Sequence, residues 1–405
     1  MRKRIIVILT CGLFGLFGLY GCGTEGADGS TIPGSSEFPV VTEALTVTET
    51  PTEAPTVTPT PELTIADISS MELVSQMKIG WNLGNSLDAT GGGIGVMTET
   101  SWGNPKTKQE MIDAIVEAGF NVVRIPVTWD SHFGPAPEYK VHDVWLQRVK
   151  EVVDYAYSKG VYVIIDTHHE EWYMPDEEHK EENGEQLAAI WTQIAEYFKD
   201  YDEHLIFSGI NEPRLRGTSK EWTGDKTASE IINYWEQLFV DAVRATGGNN
   251  TLRHLMVTGY AASSTKENLS RIQLPDDDKL IVSVHAYTPY DFALNANGTD
   301  NWTAQNGGAE LDYFMKLLEE LFLSKGVPVI IDEFGAVDKD NMEARIEWVQ
   351  YYVGAAKDHG IPCVWWDNNV ATGTGERFGL LNRKTLEFYY PELVEAMMAV
   401  IYGEE

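Results

Sequence analysis

Past Leu63 the chain repeats one local theme: a short β-branched or apolar run, a loop of Gly, Asn, Asp or Trp, then a longer stretch at helical spacing. The runs fall at 77–81, 121–125, 161–166, 205–208, 255–258, 280–284, 327–331 and 363–366. Helical stretches lie near 106–118, 143–159, 185–200, 226–246, 309–325, 341–359 and 390–402. Ala118-Gly119, Lys159-Gly160, Lys325-Gly326 and His359-Gly360 each put a glycine where a helix should stop, just before the next strand. This alternation builds a parallel sheet. Eight strands in 343 residues predict a closed (β/α)8 TIM barrel, with an open doubly wound sheet as the alternative. No Gly-x-Gly-x-x-Gly opens the first helix and no Walker loop is present, which disfavours the nucleotide-binding versions of that alternative.

The segment before this region has a different character. Residues 1–22 start with Arg2-Lys3-Arg4 and continue with an apolar run over 5–20, the charge and hydropathy order of a secretory signal and short for a bilayer span. Leu19-Tyr20-Gly21-Cys22 resembles a bacterial lipobox, which implies that Cys22 becomes the lipidated first residue of the mature chain; a plain cleaved signal or an uncleaved anchor are the alternatives. Residues 23–62 are rich in Thr, Pro, Glu, Ser and Gly and have few large apolar side chains to bury, so a disordered spacer is expected. The expected organisation is therefore a signal at 1–22, a linker at 23–62 and the barrel domain at 63–405. The expected location is extracellular, tethered to the bacterial surface.

Charge and cysteine content narrow the chemistry. Against 62 acidic residues stand 30 basic ones, for a net −32; the linker contributes −7 and the leader +3, which leaves −28 on residues 63–405. Such a surface repels a phosphate backbone, so nucleic acid is not an expected partner. Cys11, Cys22 and Cys363 are too few and too scattered for a disulfide framework or a Cys-based zinc site. Asp276-Asp277-Asp278 lacks the alternating ligand positions of an EF-hand, and Tyr173 breaks the His-Glu-x-x-His pattern that His169-Glu170 begins. No metal or cofactor is expected, and the protein is expected to be a monomer.

In a barrel the reactive residues follow the C-terminal ends of the strands. Arg124 ends the second run, His168-His169 follow the third, Asn211-Glu212-Pro213 the fourth, His285 and Tyr287 the sixth, Glu333 the seventh, and Trp366 closes the eighth. Glu212 and Glu333 would then face each other across one cavity. Two opposed carboxylates are what glycosidic cleavage needs, one to protonate the leaving oxygen and one to attack or to activate water.

With these residues in place the chain resembles glycoside hydrolase family 5, the cellulase family A of the older naming, and most of all its subfamily 4 endoglucanases. The matching segments include Gly80-Trp81-Asn82-Leu83-Gly84-Asn85, Arg124-Ile125-Pro126-Val127, Asp166-Thr167-His168-His169, Asn211-Glu212-Pro213-Arg214, Val284-His285-Ala286-Tyr287, Asp332-Glu333-Phe334-Gly335 and Trp365-Trp366-Asp367-Asn368. The resemblance implies a retaining endo-β-1,4-glucanase acting on cellulose chains, mixed-linkage β-glucan or xyloglucan, with Glu212 as acid/base and Glu333 as nucleophile. It implies that Arg124, His168, Asn211, His285, Tyr287 and Trp366 support them, and it makes Asn85, Asp88, His169 and Trp172 candidate substrate contacts. Glu212 is expected to begin protonated, because the negative charge of Glu333 lies across the site. A β-mannanase or other β-glycanase on the same barrel, or a surface glycan-binding lipoprotein without catalysis, remain alternatives.

Two departures from the family pattern stand out: Ser208 precedes Gly209-Ile210-Asn211 where relatives often have Glu, and Asp332 stands where they often have Gly. The second is expected to alter the field on the nucleophile. No further folded module is expected after about Tyr402, which favours soluble or loosened polymer over crystalline material.

Overall fold

The computed structural model describes residues 63–93 and 95–403, so the expected signal, Cys22 and linker lie outside the described residues. Eight strands, β1 (Ile79–Leu83), β2 (Val122–Ile125), β3 (Tyr162–Asp166), β4 (Leu205–Ser208), β5 (Leu255–Val257), β6 (Leu280–His285), β7 (Val329–Phe334) and β8 (Cys363–Asp367), pair in parallel in chain order. β8 returns to β1, with Ile79 opposite Cys363 and Asn82 opposite Trp366, and so closes the expected TIM barrel.

The period-2 geometry of a strand sorts its residues between two cores. Val122, Ile164, Ile206, Met256, Ile281, Ile330 and Val364 fill the barrel interior, whose lower end is packed by Leu73 and Val74 of the short helix α1 (Ser70–Gln76). Their neighbours Val123, Ile165, Phe207, Leu255, Val282 and Ile331 face the surrounding helices. Those are α2 (Gln109–Glu117), α3 (Asp143–Tyr157), α4 (Lys180–Tyr197), α5 (Lys226–Ala245), the single turns α6 (Lys266–Leu269) and α7 (Tyr290–Ala293), then α8 (Ala304–Leu321), α9 (Met342–Asp358) and α10 (Pro391–Tyr402). Trp145, Trp191, Trp235 and Trp348, all within helices, are completely buried. Gly119, Gly160, Gly326 and Gly360 all adopt the left-handed conformation that stops a helix, with φ between 68° and 105°.

Two helices begin about five residues before their expected starts. In α8, Thr303 and Asn306 cap each other reciprocally, so the glycines at 307 and 308 lie inside the first turn. A Cβ on Gly307 would meet Trp302 Nε1 at 1.9 Å, so this glycine makes room for a ring instead of breaking the helix.

One irregularity in the barrel bears on function. Ser283 pairs with Ile330 but His285 with Glu333, and Ile331 pairs with Cys363 but Phe334 with Trp365, so β7 carries one extra residue relative to both neighbours. Ile331 and Phe334 both pack outward. The bulge between them therefore turns two consecutive carboxylates, Asp332 and Glu333, toward the barrel axis.

Candidate active site

At the C-terminal mouth of the barrel the strand ends bring Arg124 to the centre of a hydrogen-bonded cluster. Its side chain is fully buried. Nη1 donates to Asn82 Oδ1 at 3.0 Å and Glu333 Oε1 at 2.7 Å, while Nη2 donates to Asp166 Oδ2 and Asn211 Oδ1, each at 2.7 Å. The remaining donor, Nε, lies 3.3 Å from Asp332 Oδ2. Burial works against this cation, but Asp166, Asp332 and Glu333 outweigh it and hold the guanidinium protonated. Because arginine can only donate, it fixes the Asn211 amide with Oδ1 inward and leaves Nδ2 as a donor.

Glu333 accepts a second hydrogen bond, from Tyr287 Oη to Oε2 at 3.0 Å. Across from it, Glu212 accepts from His285 Nδ1 at 2.8 Å and from Arg214 Nη1 at 3.1 Å. His285 Nδ1 is also 3.5 Å from Glu333 Oε2, and an oxygen of each glutamate lies within 4.8 Å of the other's. The two carboxylates thus share one imidazole. Burial opposes the charge on His285, yet Glu333, the hydrogen bond to Glu212 and Asp332 raise its pKa to about 9. Burial pushes the Glu212 carboxyl up, but His285, Arg214 and His168 bring it down to about 2.

This differs from the expectation that Glu212 starts as the protonated acid. The hydrogen bond with His285 and the charge of Arg214 favour the carboxylate form of Glu212. The sequence showed the negative charge of Glu333 but not the 2.8 Å contact that lets an imidazole take the proton instead.

His168 donates through Nδ1 to Asp166 Oδ2 at 2.8 Å, and its ring lies parallel to Trp366 with centroids 5.7 Å apart. Asp166 counters the burial of His168 and raises its pKa. The Nε2 of His169 lies 3.9 Å from Asp88 Oδ2; burial and the neighbouring His168 lower its pKa to about 3, and its ring sits 5.5 Å from that of the exposed Trp102. Trp172 is half-buried, with Nε1 donating to Glu170.

Asp88, expected as a substrate contact, does not face the cleft. It is fully buried, and its oxygens accept the backbone N–H groups of Asn85 and Ser86 at 2.9 and 2.6 Å. It holds the turn in which Asn85, at φ 57°, remains partly exposed. Sequence reasoning also passed over Asp166, Asn82 and Ser283 as members of the site. The signal was available, since all three share the inward parity of Arg124 and His285 near their strand ends.

Beside the glutamates opens a cleft of about 930 Å³, bordered by Glu212, His285, Tyr287, Trp222, Tyr290 and Glu376. The exposed Trp222 carries the Arg214 guanidinium 4.7 Å above its ring, so the loop that bears Trp222 is tied to the residue that contacts Glu212. Glu212, His285 and Glu333, like Asp88, His168 and His169, come close enough to hold a metal ion. In these groups His285 Nδ1 is hydrogen-bonded to Glu212, and both Asp88 oxygens accept backbone N–H groups.

Residues 87–372 match the family model described as cellulase, glycosyl hydrolase family 5. Endoglucanase 1 of Ruminococcus albus is 52% identical over 335 residues, which cover 82% of this chain and 81% of that protein. Among solved structures, a GH5-4 broad specificity endoglucanase from Ruminococcus champanellensis with bound cellotriose superposes with a TM-score of 0.81 at 46% identity, covering 83% of this chain and 99% of that one. A GH5 xyloglucan-specific endo-β-1,4-glucanase from a metagenomic library, also holding cellotriose, gives 0.79 at 46% identity over 81% of this chain and 98% of the other. The chain belongs to glycosyl hydrolase family 5, the cellulase family.

Proposed function

We propose that this protein is a retaining endo-β-1,4-glucanase that cuts β-glucan chains by double displacement, with Glu333 as nucleophile and Glu212 as acid/base. The observation that carries the reading is the close approach of the two carboxylates, with oxygens within 4.8 Å. Retention calls for carboxyl groups about 5 to 5.5 Å apart, whereas inversion needs about 6.5 to 9.5 Å to admit a water.

Glu333 attacks the anomeric carbon while held by Arg124 and Tyr287. As the glycosidic bond breaks, the leaving oxygen takes a proton from Glu212, which draws it across the hydrogen bond from His285. The glycosyl ester removes the charge of Glu333. Glu212, now a carboxylate, takes a proton from water, and the hydroxide attacks the ester to release a product of unchanged configuration. Asn211 Nδ2 is oriented to donate to the sugar 2-hydroxyl, and Trp366 and Trp222 offer faces to pyranose rings. Cellulose chains, mixed-linkage β-glucan and xyloglucan backbones are the proposed substrates.

Glu212→Ala and Glu333→Ala should each cut release of reducing ends from barley β-glucan by at least about a thousandfold. NMR of the first wild-type products should show the β-anomer. Near-wild-type rates in either variant would refute the assignment of roles, as would α-product. Activity on mannan alone would favour the mannanase alternative, and no hydrolysis at all a binding protein.

The leader supports a location outside the cytoplasm with Cys22 as lipid acceptor. Cys22→Ala should release the enzyme from cells into the medium; an unchanged membrane-bound fraction argues against lipidation.

A further inference from the structure

Asp332 is an ionisable group that the double displacement does not use. The β7 bulge turns it inward beside the nucleophile, and it is completely buried. Ser283 Oγ donates to its Oδ1 at 2.7 Å. Around it lie three buried atoms without hydrogen-bond partners: its own Oδ2, Arg124 Nε at 3.3 Å from that oxygen, and His285 Nε2 at 3.8 Å from Oδ1. Arg124 already has four shorter engagements, all of its η nitrogens, so its 3.3 Å approach to Asp332 through Nε is the longest of its polar contacts.

The imidazole therefore sits between two carboxylates, with Nδ1 toward Glu212 and Nε2 toward Asp332. An acceptor on each side favours the doubly protonated ring. We propose that Asp332 is a positioning residue for the acid step: acting through His285, it increases the proton affinity of the His285–Glu212 pair and biases their shared proton toward the imidazole. This inference rests on the reading of Glu212 as acid/base.

Other charges bear on the pair. From β2 comes Arg124, from β3 Asp166 and His168, and from the segment after β4 Glu212 itself with Arg214. From β7 comes Glu333, from the segment after β6 the Tyr287 hydroxyl, and from the segment after β8 Glu376. Just after β5 the neutral Thr258 donates to the Ser283 carbonyl. Among these groups Asp332 is the carboxylate nearest Nε2 that does not itself react.

The sign of its effect follows. A negative charge near the pair makes its last proton harder to remove, so losing that charge makes the proton leave at lower pH. Asp332→Asn and Asp332→Gly both delete the charge but differ in packing. Each should move the alkaline limb of kcat/KM on barley β-glucan down by about one pH unit or more. On the acid side of that limb activity should stay within about tenfold of wild type. The nitrogen resonances of His285 should titrate lower in step. A uniform loss of activity with the limb unmoved, in whichever variant folds, overturns the proposal. If neither folds, wild-type His285 decides: an imidazolium at neutral pH supports it, and a neutral ring overturns it.

Glu212→Ala separates failure of this inference from failure of the underlying reading. On 2,4-dinitrophenyl β-cellobioside, whose leaving group needs no proton, that variant should still form the glycosyl-enzyme, with a burst of dinitrophenol. If the burst occurs and the limb does not move, only the role of Asp332 falls. If Glu212→Ala shows no dependence on leaving group, the acid/base assignment falls as well.

Discussion

At the scale of single residues, buried polar atoms are valuable when fully engaged and costly when not. Arg124 has all four of its η contacts, which explains how a guanidinium can sit buried at the mouth of a barrel and hold Glu333, Asp166 and Asn211 together. Glu236 is the opposite case. It is almost completely buried; Oε1 accepts the Thr258 N–H at 2.8 Å, while Oε2 has no partner. Burial raises its pKa well above the ordinary value, so the folded state keeps a proton that the unfolded chain releases near pH 4.3. The stability this confers is fully present below that pH and is lost as pH rises toward the folded-state value. Glu236→Gln carries no such dependence. The melting temperature of the variant, measured against wild type, should therefore gain several degrees between about pH 5 and about pH 8. A constant difference across that range would mean that Glu236 is ionised in the folded protein. Nothing in the sequence singled out Glu236, since a helical glutamate ordinarily faces water; the residues of the mouth were legible because strand ends concentrate them. What one dimension concealed was orientation, which turned Asp88 into its own loop and set the His285 imidazole against Glu212.

At the scale of elements, the eight strands and seven long helices were legible because each has a periodicity that burial enforces. The starts of α4 and α8 were not, because Asn183-Gly184 and Gly307-Gly308 read as loop signals. In the folded protein these glycines lie under neighbouring side chains: Cβ atoms at 184 and 308 would fall 2.7 Å from Leu238 and 2.8 Å from Tyr351. Tertiary packing decided against local propensity there. The same holds for α1, whose seven residues are too few to reveal a period and which is retained by capping at Ser69 and by packing against the barrel floor. The bulge in β7 was equally hidden, since only pairing with β6 and β8 exposes an extra residue. Its consequence is chemical: without it, strict alternation would place Asp332 or Glu333 inside, but not both.

At the scale of the whole molecule, the sequence assigns −28 to the region that forms the barrel, and the cleft adds Glu376 and Glu310 to Glu212 and Glu333. Glu333 and Glu212 act on Glu376 strongly enough that, together with burial, they raise its pKa, which places it within their field. A neutral glucan entering this cleft loses nothing to that field. A glucan bearing carboxymethyl groups meets repulsion from the surface at long range and from the cleft at short range. Screening distinguishes the two, because the Debye length shrinks from about 30 Å at 0.01 M salt to about 8 Å at 0.15 M. Over that range KM for carboxymethylcellulose should fall by about threefold or more, and KM for barley β-glucan should change by less than about twofold. A parallel change for both polymers would assign the salt effect to protein stability or polymer conformation. Replacement of Glu376 by Gln should weaken the salt dependence only in part, because most of the repelling charge is distributed over the molecule and not concentrated at one rim.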